Sequence, residues 1–210
     1  MNRLRVRFSR GESIKFISHL DLIRVWHRAF RRAGIELAYS EGFNPHPRIS
    51  VAVPLALGVT SSAELMDVFL VQPLSSHVFC CKLEPHLPFG LGIMQAFVVP
   101  LDEPTLQSKI RFAEYAVRVS IPSETPIYEE VGALLAKDTI PWEHMRDTGL
   151  KSYDLRALID SLWIESVSDG VCTLGMRLRN DASGAGRPEQ VAKALRLESP
   201  LSIHRTRLVL

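Results

Sequence analysis

The chain opens on a two-residue alternation. In "RLRVRFS", Leu4, Val6 and Phe8 alternate with Arg3, Arg5 and Arg7, the period of a half-buried strand. After Gly11 the period lengthens. "SHLDLIRVWHRAFRRAG" predicts a helix from Ser18 to about Ala33, with Leu22, Trp26, Ala29, Phe30 and Ala33 on one apolar face. Ser18 is the expected N-cap, Asp21 sits in the favourable first turn, and Gly34 supplies the stop. "IELAY", "ISVAVPLAL" and "ELMDVFLVQ" then read as strands, residues 75–87 as a helix, and "GIMQAFVVP" as a closing strand. The order is βαββαβ with an elaborated middle.

A polar stretch over residues 101–111, containing Pro104, is the best linker. Beyond it the pattern starts again. "EYAVRVSI" alternates by two, and Thr125-Pro126 starts a helix carrying Ile127, Val131, Leu134 and Leu135. "DLRALIDSLWIES" and "VCTLGMRLR" read as strands, Pro188 opens a short helix, and "SIHRTRLVL" ends as a strand. The expected fold is α+β, with two tandem ferredoxin-like halves over 1–100 and 112–210 and helices packed on antiparallel sheets. No residue-level repeat supports the duplication, which rests on element order alone.

Composition narrows the function classes. Hydrophobic residues make up 46% and charged residues 23%, as in an ordinary globular protein. No apolar run approaches the roughly 20 residues that span a bilayer, and "MNRLRVRFSR" has no signal-peptide h-region, so a cytoplasmic protein is expected. Cys80 and Cys81 are neighbours and Cys172 is alone, and the seven histidines show no HxxxH or HxH spacing. No metal site and no cofactor are therefore expected in this chain. The net charge is +2, yet residues 1–50 hold ten Lys/Arg against four acids, which leaves the remainder at −4. A basic first quarter points to a polyanionic partner.

Four stretches could carry chemistry. Arg24, Arg28 and Arg31 follow Asp21 along one stripe of the helix, where guanidinium groups in a row suit phosphate oxygens. The competing reading is a solvated outer face. His19 sits at the first helical position, where a helix N-terminus favours an anion and a neutral imidazole. "YSEGFNPHPRIS" gathers Tyr39, Ser40, Asn44, His46 and Arg48 in a proline-stiffened loop. It reads as a recognition loop, as an acid–base partner of His19, or as a rigid corner. "SGAGRPEQ" runs small residues into a helix start at Arg187, a place for an anion, although it lacks a P-loop ending. His27, His77, His86, His144 and His204 have no partner at useful spacing and read as structural or surface residues. Glu64 and Asp67 fall on opposite strand faces and do not form a carboxylate pair.

Taken together, "KFISHLDLIRVWHRAFRRAGIELAYSEGFNPHPRISVAVPLALG" resembles the opening of an uncharacterised bacterial family, the radical SAM-linked domain. That family occurs alone or as the C-terminal portion of B12-binding radical SAM proteins. The resemblance is carried by Ser18 to Leu22, the arginine run 28–33, Tyr39 to Pro47, and Pro54-Leu55 followed by Gly58. Gly184 to Pro188 and "HRTRLVL" extend it over nearly the whole chain. It implies an accessory or substrate-presenting role beside a radical SAM enzyme on another chain, because no three-cysteine cluster motif is present here. A looser, fold-level likeness is to tandem ferredoxin-like RNA-binding proteins, including CRISPR repeat-processing endoribonucleases.

The leading expectation is a non-catalytic module that binds RNA or another polyanion and works with a radical SAM enzyme. Arg24, Arg28, Arg31 and Arg48 would take phosphates, and His19, Tyr39, Asn44 and His46 would read the rest. The alternatives are a metal-independent endoribonuclease using His19 and His46, and a protein-binding scaffold.

Overall fold

The computed structural model describes residues 1–122, 125–146 and 149–210. They form two compact units, Met1–Ile110 and Arg111–Leu210, each built on an antiparallel sheet with helices. No helix among the described residues is long and apolar enough to cross a membrane.

In the first unit β1 (Asn2–Arg10) leads into α1 (His19–Arg32), followed by β2 (Ile49–Val51) and β3 (Thr60–Leu70). Then come α2 (Ser76–Leu83), β4 (Leu91–Val99) and a one-turn α3 (Leu106–Lys109). The sheet runs β4-β1-β3-β2 with every neighbour antiparallel. Leu4, Val6 and Phe8 point to one side and are fully buried against Leu22, Trp26 and Phe30 of α1, Met66 and Val68 of β3, and Phe79 of α2. Phe8 meets Trp26 edge-on at 5.2 Å between ring centres, Trp26 stacks on Phe30 at 6.0 Å, and Phe30 reaches Phe79 at 5.9 Å. Rings in these offset and edge-on geometries add to the area they bury.

The other face of β1 departs from the alternation. Of the alternating Arg3, Arg5 and Arg7, Arg7 alone faces solvent, while Arg3 and Arg5 are buried. Asp67 on β3 lies directly opposite Arg5 in the ladder, with Arg3 diagonal to it. Its carboxylate accepts from Arg3 Nε at 3.1 Å and Arg5 Nε at 2.8 Å. Arg3 also donates to the carbonyls of Glu103 and Pro104, and Lys109 pairs with Glu103. Residues 101–110, expected as a linker, thus pack within the first unit, with Leu106 and Ile110 buried. Local spacing could not show this, because the partners lie more than sixty residues apart.

The second unit contains β5 (Phe112–Ser120), α4 (Ile127–Leu135), a hairpin of β6 (Pro141–Arg146) and β7 (Gly149–Asp154), then β8 (Ile159–Ser168) and β9 (Val171–Asp181). β10 (Gly184–Ala185), α5 (Pro188–Ala194) and β11 (Ser202–Val209) complete it. Its main sheet runs β8-β9-β5-β11, again antiparallel, with β10 on the far end of β9. With the hairpin counted as an insertion, both units place their last, first, third and second strands side by side in that order.

Three expected strands are shorter or absent. "IELAY" contributes only the isolated bridges Leu37↔Leu70 and Tyr39↔Pro47. "ISVAVPLAL" forms a strand for three residues, and Pro54, which lacks an N–H for the ladder, follows soon after. "DLRALIDSLWIES" begins as a helical turn over Arg156–Leu158 before β8.

Candidate functional site

Local chemistry sets the start of α1. Ser18 is the N-cap, its Oγ accepting from Asp21 N at 3.1 Å. Arg10, buried at the end of β1, donates to the carbonyls of Lys15 at 2.9 Å and Ile17 at 2.5 Å. These bonds pin the turn that delivers His19. Asp21 returns its carboxylate to Ser18 Oγ at 2.7 Å and to Arg24 Nη1 at 2.9 Å. The Ser18 hydroxyl and Arg24 hold that carboxyl below its ordinary value. The anion favoured by the helix dipole is therefore already present, and it belongs to the protein. This revises the expectation that the free helix end beside His19 would draw a ligand anion.

The proline loop is a small clasp. Arg48 N donates to Ala38 O at 2.8 Å, Ser40 N to His46 O at 2.8 Å, and His46 N to Ser40 Oγ at 3.0 Å. Residues 41–46 project as an exposed tip. Gly42 at φ 121° takes a conformation that side chains rarely adopt. Asn44 and Phe43 lie on that tip, Phe43 fully exposed.

The clasp, α1, β2 and α3 together enclose a groove of about 530 Å³ in the first unit. His19, Ile23, Arg24 and His27 line it from α1, His46 and Pro47 from the loop, Ile49 to Val51 from β2, and Gln107 from α3. No carboxylate is among these lining residues. Of the residues singled out in the sequence, the structure brings His19, Arg24 and His46 together here. Tyr39 stands at its edge, Oη 3.5 Å from His27 Nε2, and Ser40 holds the clasp closed. Arg28 and Arg31 continue the exposed stripe along α1 beyond the lining.

Two arginines go elsewhere. Arg48 lays its guanidinium over the Phe69 ring at 3.9 Å and is not among the groove's lining residues. It is occupied by cation–π packing. Arg187 lies in the second unit, Nη1 3.2 Å from His144 Nε2. The amides before it are taken: Ser183 N donates to Asp181 Oδ1 at 2.7 Å, and Gly186 N to Arg179 O at 2.9 Å. Burial works to raise the Asp181 carboxyl, but the hydrogen bonds from Ser183 prevail and hold it below its ordinary value. The protein's own carboxylate thus fills the place read as an anion site.

Sequence reading missed His27, Ser50 and Gln107. His27 was legible, since His19, Ile23 and His27 repeat every four residues on one helical stripe. Gln107 was not. Its Nε2 donates to Val51 O at 2.7 Å and Ser50 Oγ at 2.9 Å, across a separation of more than fifty residues.

These features define an α/β chain of antiparallel sheets and helices whose fold has counterparts among solved structures. A chain of a Cbf5–Nop10–Gar1 complex superposes with a TM-score of 0.52 at 6% identity, over 98% of this chain and 48% of that one. A chain of the archaeal box H/ACA sRNP Nop10–Cbf5 complex gives 0.49 at 8% identity, over 98% and 48%. The chain thus spans about half the length of the structures it matches. At such identities the likeness is one of fold. No curated protein matches the sequence. The chain belongs to the family described as "Uncharacterized protein conserved in bacteria (DUF2344)", whose model matches residues 3–188.

Proposed function

We propose that this chain is a binding module for a polyanion, single-stranded RNA first, without a reaction of its own. The observation that carries the reading is the groove on α1. It gathers one guanidinium, three imidazoles, an amide and a hydroxyl, and the one carboxylate bonded to that guanidinium, Asp21 at 2.9 Å from Arg24, stands outside the lining. Arg28 and Arg31 extend it along the exposed side of α1, so three guanidinium groups cover roughly 10 Å of helix. Such a row tracks a phosphate backbone. We read the two units as ferredoxin-like halves, supported by their shared strand order.

The stretches 18–22 and 39–47 that resemble radical SAM-linked domains contribute His19, His46 and Pro47 to the lining of this groove. That coincidence supports a role in presenting the bound polymer to a radical SAM enzyme on another chain. The iron–sulfur cluster and any other cofactor would then be the partner's, and the work would be cytoplasmic.

Three phosphate contacts predict that log affinity for single-stranded RNA falls against log salt with a slope of about −2. The variant with Arg24, Arg28 and Arg31 all changed to alanine should bind roughly tenfold more weakly or worse, with a nearly flat slope. Fluorescence anisotropy over a salt series measures both. Wild-type protein with a flat slope would overturn the reading.

The placement of His19 and His46 in one groove favours a second reading, acid–base cleavage of RNA. Binding alone predicts that labelled RNA incubated with the chain stays intact on a denaturing gel. Cleavage that disappears in both His19→Ala and His46→Ala would install the nuclease in its place.

A further inference from the structure

We propose that the groove holds one unpaired nucleotide unit, its phosphate against α1 and its base edge against β2 and Gln107. This rests on the RNA-binding reading above and adds what the groove itself accepts.

The two walls differ in chemistry. His19, Arg24 and His27 on α1, with His46 from the loop, supply cationic and imidazole groups. The opposite wall is the edge of a sheet. Among the described residues β2 pairs only with β3, with Ser50 opposite Asp67. The flanking bonds run from Phe69 N to Arg48 O at 3.1 Å and from Ala52 N to Leu65 O at 2.9 Å. Arg48, Ser50 and Ala52 therefore turn their backbone groups toward β3, and Val51 turns its own away from it.

Gln107 meets that outward edge. With its Nε2 donating to both Val51 O and Ser50 Oγ, both amide protons are engaged. The carbonyl Oε1, 3.4 Å from Ser50 Oγ, keeps acceptor capacity. Val51 N–H leaves the strand on the same side as the carbonyl that Gln107 binds. The wall thus presents a backbone donor beside an immobilised acceptor. The Watson–Crick edge of every nucleobase offers the complement, a donor next to an acceptor, and unpaired bases are read in this way. Ile23, Pro47 and Ile49 supply apolar surface for the faces of a base, and the rings of His27 and His46 supply stacking surface. A volume of about 530 Å³ falls within the roughly 300–1,000 Å³ typical of small organic ligands.

The test is competition on the full chain between a labelled single-stranded RNA of about eight nucleotides and inorganic polyphosphate of matched charge. Wild type should favour RNA by about tenfold or more, the worth of a pair of directional hydrogen bonds. Gln107→Ala and Ser50→Ala should each reduce that preference, while Arg24→Ala lowers affinity for both polymers alike. Equal affinity of wild type for RNA and polyphosphate would overturn the nucleotide pocket and leave polyanion binding standing. An equal loss for both polymers in Gln107→Ala and Ser50→Ala would also overturn it, reducing these residues to packing. Binding of neither polymer would remove the RNA reading itself.

Discussion

Replacing Asp67 with alanine should destabilise the first unit by about 3–5 kcal/mol. The carboxylate is buried and accepts from both Arg3 and Arg5, which are buried as well. Its removal leaves two buried guanidinium groups side by side on β1 without the carboxylate they share. Glu103 can take up little of that charge, because it already pairs with Lys109 and reaches Arg5 only at 3.8 Å. Urea unfolding followed by circular dichroism measures the shift in midpoint. The triple change Arg3→Met, Arg5→Met, Asp67→Leu separates the causes. It removes the charges together and should recover most of the lost stability, since a buried ionic cluster is worth little against apolar residues of similar size. An unchanged midpoint in Asp67→Ala would show that water or Glu103 replaces the lost carboxylate.

Trp26→Ala should cost about 3–5 kcal/mol in the same measurement. Trp26 is fully buried at the centre of a chain of rings formed by Phe8, Trp26, Phe30 and Phe79. Its loss leaves a cavity between β1 and α1. One detail makes the prediction sharper. Among the described residues the indole Nε1 is buried without a hydrogen-bond partner, so part of the ring's stabilisation is offset by an unsatisfied donor. Trp26→Phe deletes that N–H, keeps a six-membered ring in the core and should cost much less than the alanine change. Equal costs for the two would show that the indole donor is satisfied in solution.

These residues also mark what the sequence could and could not disclose. The α1 helix was fully legible: its cap at Ser18, its apolar stripe at Leu22, Trp26, Ala29 and Phe30, and its glycine stop with Gly34 at φ 64° all follow local rules. Asp67 was not. Its neighbours in sequence gave it no partner, and only the antiparallel register between β1 and β3 puts it opposite Arg5. The same limit separates the site's two walls. His19, Arg24 and His46 were found because they lie near in sequence to a capped helix and a stiff loop. Gln107 and Ser50 meet only when α3 folds back on β2. Arg48 leaves the same stretch as His46, yet its guanidinium lies over Phe69 of β3, a long-range partner that local spacing does not disclose.

The Ser40–His46 clasp bears on the entropy of association. Pro45 and Pro47 narrow the conformations of the unfolded chain, and two hydrogen bonds close the loop in the folded one. A loose segment surrenders roughly 1–2 kcal/mol per residue when a ligand orders it. Here that ordering takes place during folding, so a ligand reaching the groove meets His46 in position and leaves no loop to be organised around it.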